Sequence, residues 1–430
     1  MKYRHILPVL ILLFTGILTS GFNSGSNYIN FSDSLSFFRN PEITDNEIYH
    51  HIKYLASDEL EGREPGTDGD YLSRAYISNE YELYGLEPIG DSAYIQFFDI
   101  KIKKQKVNTA NIIGYLEGSD SILKNEIIVI GAHYDHIGYG DYASRQSGKT
   151  KMIHNGADDN ASGVTGVLEL AQKLSADKPN LRRSYIFACF GAEERGLLGS
   201  KYFTESDIFR HYNIVAMINL DMIGRLENNS LVINGTGTSS IWDDLIKEVN
   251  KKYDFKITSI PDGIGGSDHT SFTLKDIPVL FFFTGIHDDY HMPSDDYDKI
   301  NTKSQERILN FVYDILIKTD RAEQKPDFAV NSDNRQNRQT TSFKVSVGTI
   351  PDFSYSGDGG FKISGVRSGS PAEKAGLKGG DLIIKFAGKD IKNIYDYTSV
   401  LSELKSGDEV PMTINREGHE LEVTIKLESR

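Results

Sequence analysis

The pattern of apolar and polar positions over residues 44–318 predicts strands that alternate with helices. Continuous apolar runs bounded by turn residues predict buried strands, at Asn111–Leu116, Ile127–Ala132, Ser184–Phe190, Val215–Leu220 and Val279–Phe283. Apolar residues at helical spacing predict helices at Val164–Leu174, Gly196–Thr204, Trp242–Tyr253, Asp268–Leu274 and Ser304–Lys318. Strands without polar alternation are buried on both faces. We therefore predict an α/β fold with a mixed, centrally parallel sheet covered by helices on both faces.

Two further helices and a strand precede this region. Thr44 and Glu47 form a capping-box pattern ahead of the first helix, and Gly85 follows the second as a stop signal. Alternating apolar residues between 95 and 102 predict a strand at the edge of the sheet.

The two ends of the chain differ in character from this middle part. Lys2 and Arg4 precede an apolar run, Ile6–Leu18, that is short for a membrane helix. This pattern predicts a signal peptide over residues 1–24, export to the periplasm or the medium, and no membrane span after cleavage; an uncleaved anchor stays open. Residues 25–320 then form the layered domain, 321–341 a polar linker, and 342–430 a small second domain.

Composition narrows the classes of partner. The net charge of −14 argues against nucleic acid as a ligand. The single cysteine, Cys189, excludes an internal disulfide bond and lies within an apolar run. We expect its thiol to be a buried apolar group.

Residues able to bind metal follow the predicted strands. His133 and Asp135 occur in GAHYDH, where the acid could orient the imidazole of a metal ligand. Glu193 and Glu194 occur in FGAEERG, where one could bind metal and the other act as general base. Because parallel strands end at one edge of a sheet, these side chains are expected to converge there.

Three more stretches add to this set. HNGADDNASG contains the acids Asp158 and Asp159, although such a stretch also suits a turn with a helix cap. Asp221 directly follows the run VAMINL, where a buried carboxylate requires a partner or a metal. HDDYHMPSDDYD supplies Tyr290 and His291.

The histidines His269 and His287 compete with these candidates but are weaker ones. Two imidazoles and three carboxylates can hold two divalent ions bridged by a carboxylate. This mixture suits Zn²⁺ best, with Mn²⁺ or Co²⁺ as possible substitutes.

The motifs GAHYDH, GADDNASG, GAEERGLLGS, NLDM, SDHTSF and YHMPSDD, in this order over about residues 48–318, resemble the M28 zinc peptidases, the co-catalytic metalloaminopeptidases. The resemblance implies that one zinc is held by His133, Asp159 and Asp221, and a second by Asp159, Glu194 and His291. It further implies roles for Glu193 as general base, Asp135 as a supporting acid, Tyr290 as a hydroxyl that stabilises the tetrahedral intermediate, and Asp268 as a neighbour of the site.

The family resemblance implies an aminopeptidase that acts on peptides with a free N-terminus. Three alternatives stay open. A glutaminyl cyclase of the same fold would use one zinc, and a carboxypeptidase would need basic groups such as Arg195 and Arg225. An adaptor that has lost activity and only binds peptides is the third.

The second domain resembles a bacterial PDZ domain, through GGFKISGV and GSPAEKAGLKGGDLIIKFAGKDI. Gly359 and Gly360 precede the predicted strand Phe361–Ile363, whose edge we expect to pair with an added peptide strand. A short helix is predicted at Pro371–Gly376. Capture of a C-terminal peptide and a purely structural role both remain possible.

Overall fold

The computed structural model describes residues 41–140, 143–146, 150–329, 345–352, 355, 359–367, 369–392 and 394–429. The predicted signal peptide and residues 330–341 of the predicted linker lie outside the described residues. Within the described part of the chain, no helix combines the length and the apolar character that crossing a bilayer requires.

The larger region is built on a sheet of nine strands. They are β1 Glu87–Pro88, β2 Ile95–Ile102, β3 Gln105–Leu116, β4 Glu126–His133, β5 Ser184–Phe190, β6 Asn213–Leu220, β7 Ser230–Asn234, β8 Lys256–Ile260 and β9 Val279–Phe283. Their order across the sheet is β1-β3-β5-β4-β6-β9-β7-β8, with β2 paired to β3 as predicted for an edge strand. The central strands β5, β4, β6 and β9 are parallel, whereas β3 and β7 run antiparallel to their neighbours β5 and β9. The predicted mixed sheet is therefore confirmed.

Helices cover both faces of this sheet. They are α1 Asp45–Leu55, α2 Asp68–Leu83, α3 Gly163–Ala176, α4 Leu198–Glu205, α5 Asp207–His211, α6 Trp242–Tyr253, α7 His269–Thr273 and α8 Thr302–Arg321. One face packs Val129 and Ile186 against Phe203 of α4 and Phe272 of α7. Alternate residues such as Ile128 point to the opposite face, which α3, α1 and α8 cover.

Local signals explain where the first helix begins. The Thr44 side chain accepts a hydrogen bond from the Glu47 backbone N–H, so the predicted cap of α1 is confirmed. Cys189 is buried in β5, as the apolar run around it predicts, and its Sγ atom lies 3.4 Å from the Tyr81 hydroxyl.

The strands β7 and β8 were missed by the sequence analysis. Each has five residues, and β8 is only half-buried, so neither has an apolar run that stands out from its polar surroundings. The two strands extend the sheet beyond β9. Strand β7 pairs with Phe281–Phe283 of β9, and β8 pairs with β7.

The segment after α8 remains attached to the larger region. The helix includes Asp320, whose carboxylate accepts hydrogen bonds from the Arg182 and Arg183 backbone N–H groups. Further along, the Asp327 carboxylate accepts from the Ser239 hydroxyl, and the Ala329 N–H donates to the Thr238 carbonyl. Residues 322–329 thus follow the surface of the domain before the second domain begins.

The second domain is a small mixed unit with its own apolar core. Its strands are β10 Val345–Ser346, β11 Thr349–Pro351, β12 Phe361–Val366, β13 Leu382–Phe386, β14 Lys389–Asp390, β15 Glu409–Arg416, β16 His419–Lys426 and β17 Glu428–Ser429, and its helices are α9 Pro371–Lys374 and α10 Ile394–Glu403. Phe361, Ile363, Phe386 and Met412 lie in that core.

The expectation that strand β12 offers a free edge is wrong. Its first residues pair with β13, and residues from Ile363 to Val366 pair with β11 on the other side. The Asp352 N–H also donates to the Lys362 carbonyl. Both edges of β12 are therefore occupied. Among the described residues, β11 and β16 end this sheet, and the Thr349 hydroxyl of β11 lies 2.9 Å from the Tyr397 hydroxyl of α10.

Candidate metal centre

The candidate residues converge where the central parallel strands end. They are His133 at the end of β4, Asp159 in an irregular turn ahead of α3, Glu193 and Glu194 after β5, Asp221 after β6, and Tyr290 and His291 after β9. Because these four strands run in the same direction, their carboxyl ends open onto a single edge of the sheet.

A first cluster is formed by His133, Asp159 and Asp221, all of which are buried. The His133 Nε2 atom lies 3.3 Å from Asp159 Oδ1 and 3.5 Å from Asp221 Oδ1. Ligands of a tetrahedral zinc ion, each about 2.0–2.2 Å from the metal, lie about 3.3–3.6 Å from one another. The spacing of these atoms therefore suits a single ion between them.

A second cluster uses the other oxygen of Asp159. The His291 Nε2 atom lies 3.1 Å from Asp159 Oδ2 and 3.2 Å from Glu194 Oε1. Asp159 thus presents one carboxylate oxygen to each cluster. This is the arrangement of a carboxylate that bridges two ions.

The orientation of the two imidazoles fits metal binding. Nδ1–H of His133 donates to the Asp135 carbonyl, and that of His291 to the Ala143 carbonyl, each over 3.1 Å. In the neutral imidazole, the form that binds metal, the lone pair is therefore on Nε2, the atom that faces the carboxylates. Nε2 of His291 is buried and makes no hydrogen bond within the described residues. A cation between the imidazole and the carboxylates would satisfy this nitrogen, so the residues present fit a metal.

The structure gives Asp135 a different contact from the one predicted. Its Oδ1 atom lies 3.8 Å from His133 Nδ1, beyond hydrogen-bond distance. Instead, its two oxygens accept the backbone N–H groups of Glu193, at 2.9 Å, and of Glu194, at 3.4 Å. Asp135 therefore holds the loop that carries the two glutamates, and only its backbone carbonyl orients the imidazole of His133.

The neighbouring acids Asp158 and Asp159 point in different directions. Asp158 accepts the Gly224 N–H at 2.7 Å and lies 3.1 Å from Nε2 of His287. It takes no part in either cluster, and neither does His287. His269 also lies outside both, stacked on the Phe281 ring at 4.4 Å.

Electrostatics favour positive charge at this site. Burial alone lowers the pKa of His291, but the carboxylates of Glu194 and Asp159 outweigh it and raise the pKa to about 10. Burial raises the pKa of Glu194, yet His291 and His136 reverse the effect and lower it to about 2. The buried carboxylates thus create a negative electrostatic potential, which stabilises a nearby cation such as a divalent metal ion.

The pocket beside the clusters has an apolar wall. Its lining includes Glu193, Tyr290 and four of the candidate metal-binding residues, His133, Asp159, Glu194 and Asp221. Met222, Phe281, Phe283 and Ile286 also line it, and Tyr290 packs against this apolar group. The Tyr290 ring stacks on that of His291 with 4.0 Å between centroids. The pocket that contains Glu193 therefore combines polar side chains suited to cations with an apolar surface suited to a hydrophobic side chain.

Two parts of the chain match known protein families. Residues 111–316 match the model of peptidase family M28, and residues 330–427 match that of the PDZ domain. The chain carries a peptidase family M28 domain. Leucine aminopeptidase 2 of Trichophyton rubrum is 28% identical over 186 residues, which cover 41% of this chain and 34% of that protein. The chain thus spans about a third of the length of this relative.

Solved structures share the fold of the M28 domain. A zinc aminopeptidase from Bacillus subtilis superposes with a TM-score of 0.53 at 18% identity, covering 67% of this chain and 99% of that one. A glutaminyl cyclase from Bacteroides thetaiotaomicron superposes with a TM-score of 0.55 at 19% identity, covering 65% and 99%. Because both enzymes fit comparably well, the likeness establishes the fold and does not choose between their reactions.

Sequence reasoning overlooked two residues that belong to the surroundings of the candidate metal centre. His136, the second histidine of GAHYDH, is buried with Nδ1 only 2.9 Å from Glu194 Oε1. The signal was available, since His136 lies three residues after His133 at the same strand end.

The other overlooked residue, Arg63, is fully buried. Its guanidinium donates to the backbone carbonyls of Leu55, Tyr134, Asn155 and Gly156. It thereby ties the loops that carry His133 and Asp159 to the N-terminal helices. Nothing in the surrounding sequence, ELEGREPG, distinguishes this arginine from one on a solvated loop.

Proposed function

We propose that this chain is a two-zinc aminopeptidase that removes N-terminal residues from peptides. The observation that carries the proposal is the geometry of Asp159, whose two oxygens face separate groups of metal-binding side chains. One zinc would be held by His133, Asp159 and Asp221, and the other by Asp159, Glu194 and His291. Mn²⁺ or Co²⁺ could replace zinc in such a donor set.

The proposed chemistry is hydrolysis with Glu193 as general base. Zinc bound at this centre would lower the pKa of a coordinated water towards about 7 and polarise the scissile carbonyl. Glu193 lines the same pocket, with its Oε2 atom 4.0 Å from His133 Nε2. It would take the proton from the attacking water and pass it to the leaving amine. The Tyr290 hydroxyl would donate to the oxyanion that develops on the substrate.

Asp135 supports this machinery by positioning it. By accepting the N–H groups of Glu193 and Glu194, it places the base and a metal-binding carboxylate in one rigid loop. We assign it to positioning, since its carboxylate does not face the pocket lining.

The apolar wall suggests which substrates are preferred. Phe281, Phe283 and Ile286 offer hydrophobic surface next to the proposed base. A large apolar side chain at the substrate N-terminus would bury area there, gaining about 25 cal/mol per Å². We therefore propose a preference for residues such as leucine or phenylalanine, in keeping with the leucine aminopeptidase relative.

The alternatives have less support from the geometry. A glutaminyl cyclase would need one zinc, whereas the donor atoms here suit two. A carboxypeptidase would need a basic group for the substrate carboxylate. The two candidates are already engaged, Arg195 with Glu64 and Arg225 with Asp289. The complete set of donors and base argues against an inactive adaptor.

We further propose export and a peptide-binding role for the PDZ domain. Export is supported by the basic and apolar pattern of residues 1–24. Among the described residues β11 pairs only with β12, and its Thr349 hydroxyl lies 2.9 Å from the Tyr397 hydroxyl of α10. A C-terminal peptide would add at the other edge of β11 as an antiparallel strand.

The test is hydrolysis of aminoacyl-p-nitroanilides by the zinc-loaded chain, each substrate offered free and N-acetylated. An aminopeptidase cleaves only the free forms, and leucyl and phenylalanyl substrates should exceed the glycyl and glutamyl ones. Cleavage of neither form by a protein that binds two zinc ions would contradict the proposal. Glutaminyl peptides and C-terminally free peptides would then test the two enzymatic alternatives.

A further inference from the structure

His136 has no role in the function proposed above, yet it lies within the metal centre. Its side chain is fully buried, and Nδ1 points at the second cluster. The distances from Nδ1 are 2.9 Å to Glu194 Oε1 and 3.8 Å to Asp159 Oδ2.

His136 stands in the same relation to the carboxylates as His291 does. His291 Nε2 contacts the same two oxygen atoms, at 3.2 Å and 3.1 Å. The four donor atoms of Asp159, Glu194, His136 and His291 all lie within 4.8 Å of one another. Their separations bracket the roughly 3.3–3.6 Å expected between ligands of one tetrahedral zinc.

The surrounding backbone holds the imidazole in this position. The His136 N–H donates to the Arg63 carbonyl. A Cβ atom at Gly156 would lie 2.6 Å from the His136 ring, so the absence of a side chain at Gly156 makes room for it. Nε2 of His136 is buried without a hydrogen bond to any described residue, so Nδ1 provides the only polar contact of the ring.

We propose that His136 is a fourth protein ligand of the metal held by Asp159, Glu194 and His291. This inference rests on the two-zinc centre of the proposed function. It makes the two metal positions unequal: one has four protein donors, and the other, at His133 and Asp221, has three.

Unequal ligation has a functional consequence. A zinc ion with four protein ligands is bound in the manner of a structural site, whereas three protein ligands leave a position for water or substrate. The four-ligand position therefore fills first and retains its ion. The three-ligand position is the labile one, and it is the one nearer Glu193.

The experiment is a zinc titration of the metal-stripped full chain with a chromophoric chelator as competitor. His136→Asn places an amide near Nδ1, so it can still donate a hydrogen bond to Glu194 but loses the imidazole. His136→Ala removes both. His287→Asn is the matched control, because His287 is a neighbouring histidine outside both clusters.

We expect both His136 variants to lose about 100-fold or more in affinity for the first zinc, since even outer contacts of metal ligands contribute about 10–100-fold. His287→Asn should retain the wild-type value. If His136→Asn binds the first zinc as tightly as wild type, His136 is only a hydrogen-bond donor and the proposal is wrong. Two equal zinc affinities in the wild type would overturn it as well.

A zinc-bound crystal structure of the wild type decides the question even if the variants misfold. His136 Nδ1 should lie about 2.0–2.1 Å from the ion, and a separation beyond about 3 Å would refute ligation. These measurements do not involve a substrate. A chain with this zinc site that cleaves no peptide would refute only the proposed function, and an active chain with two equal sites would refute only this inference.

Discussion

Replacing Glu193 with glutamine tests the proposed chemistry most directly. Glutamine has the shape of glutamate but cannot accept a proton from water at neutral pH. The hydrogen bond from the residue 193 backbone N–H to Asp135 is unaffected by the substitution. Zinc content should therefore equal that of the wild type, and any loss of turnover can be assigned to the missing base.

The magnitude follows from the geometry around Glu193. The other carboxylates that line the pocket, those of Asp159, Glu194 and Asp221, lie in the two candidate metal clusters and are not available as substitutes. Loss of a general base typically lowers turnover by about 10²–10⁴-fold, which corresponds to about 2.7–5.5 kcal/mol in activation free energy. We expect the loss in kcat to lie within or above this range.

The assay measures kcat and KM on leucyl-p-nitroanilide alongside zinc content. Glu64→Gln is the control, since it changes the charge equally but affects a residue that pairs with Arg195 outside the pocket lining. Turnover of Glu193→Gln above about a tenth of the wild-type value, with both zinc ions present, would show that Glu193 is not the base.

The remaining predictions concern stability and domain organisation. Arg63→Lys keeps the charge, but lysine cannot donate to all four carbonyls that Arg63 contacts. Each unsatisfied buried group costs about 1–3 kcal/mol, so we expect calorimetry to show a melting temperature lower by about 5 °C or more. An unchanged melting temperature would show that these hydrogen bonds do not stabilise the fold. Burial and then neighbouring Glu47 raise the pKa of Glu169, so the folded state holds this proton more tightly than the unfolded state and stability falls as pH rises above the unfolded pKa. Glu169→Gln should therefore raise the melting temperature at pH 8 and much less at pH 4.5, and a gain independent of pH would refute this. A chain ending at Ala329 should fold and bind zinc. A chain ending before Asp320 loses the hydrogen bonds between Asp320 and Arg183 and should melt at a lower temperature. Aggregation of the chain that ends at Ala329 would instead show that the PDZ domain covers apolar surface.

Most of the sheet was predictable because its strands are buried. The runs at β5 and β9 match their predicted limits, since continuous apolar residues between turns have no other stable location. Strands β7 and β8 were not predictable in this way. They are short, and what holds them is pairing with β9 and with each other, a contact between segments far apart in the chain.

The PDZ domain illustrates the same limit. The motif around Gly359 predicted the strand β12 correctly, but not that both of its edges are occupied. Edge availability depends on which segments pair with the strand, and the short strand β11 that covers β12 has no pattern of its own.

The sequence by itself determined the order of the candidate metal-binding motifs and their placement at strand ends, because parallel strands bring such positions to one edge whatever the loops do. Tertiary structure decided the direction of each side chain. Asp158 and Asp159 are adjacent in sequence, yet only Asp159 faces both clusters, because the Gly224 amide and His287 draw Asp158 away. Likewise, only folding brings His136 to Glu194, 58 positions later in the chain. Side-chain direction is set by backbone dihedral angles and by contacts distant in sequence, and a local pattern contains neither.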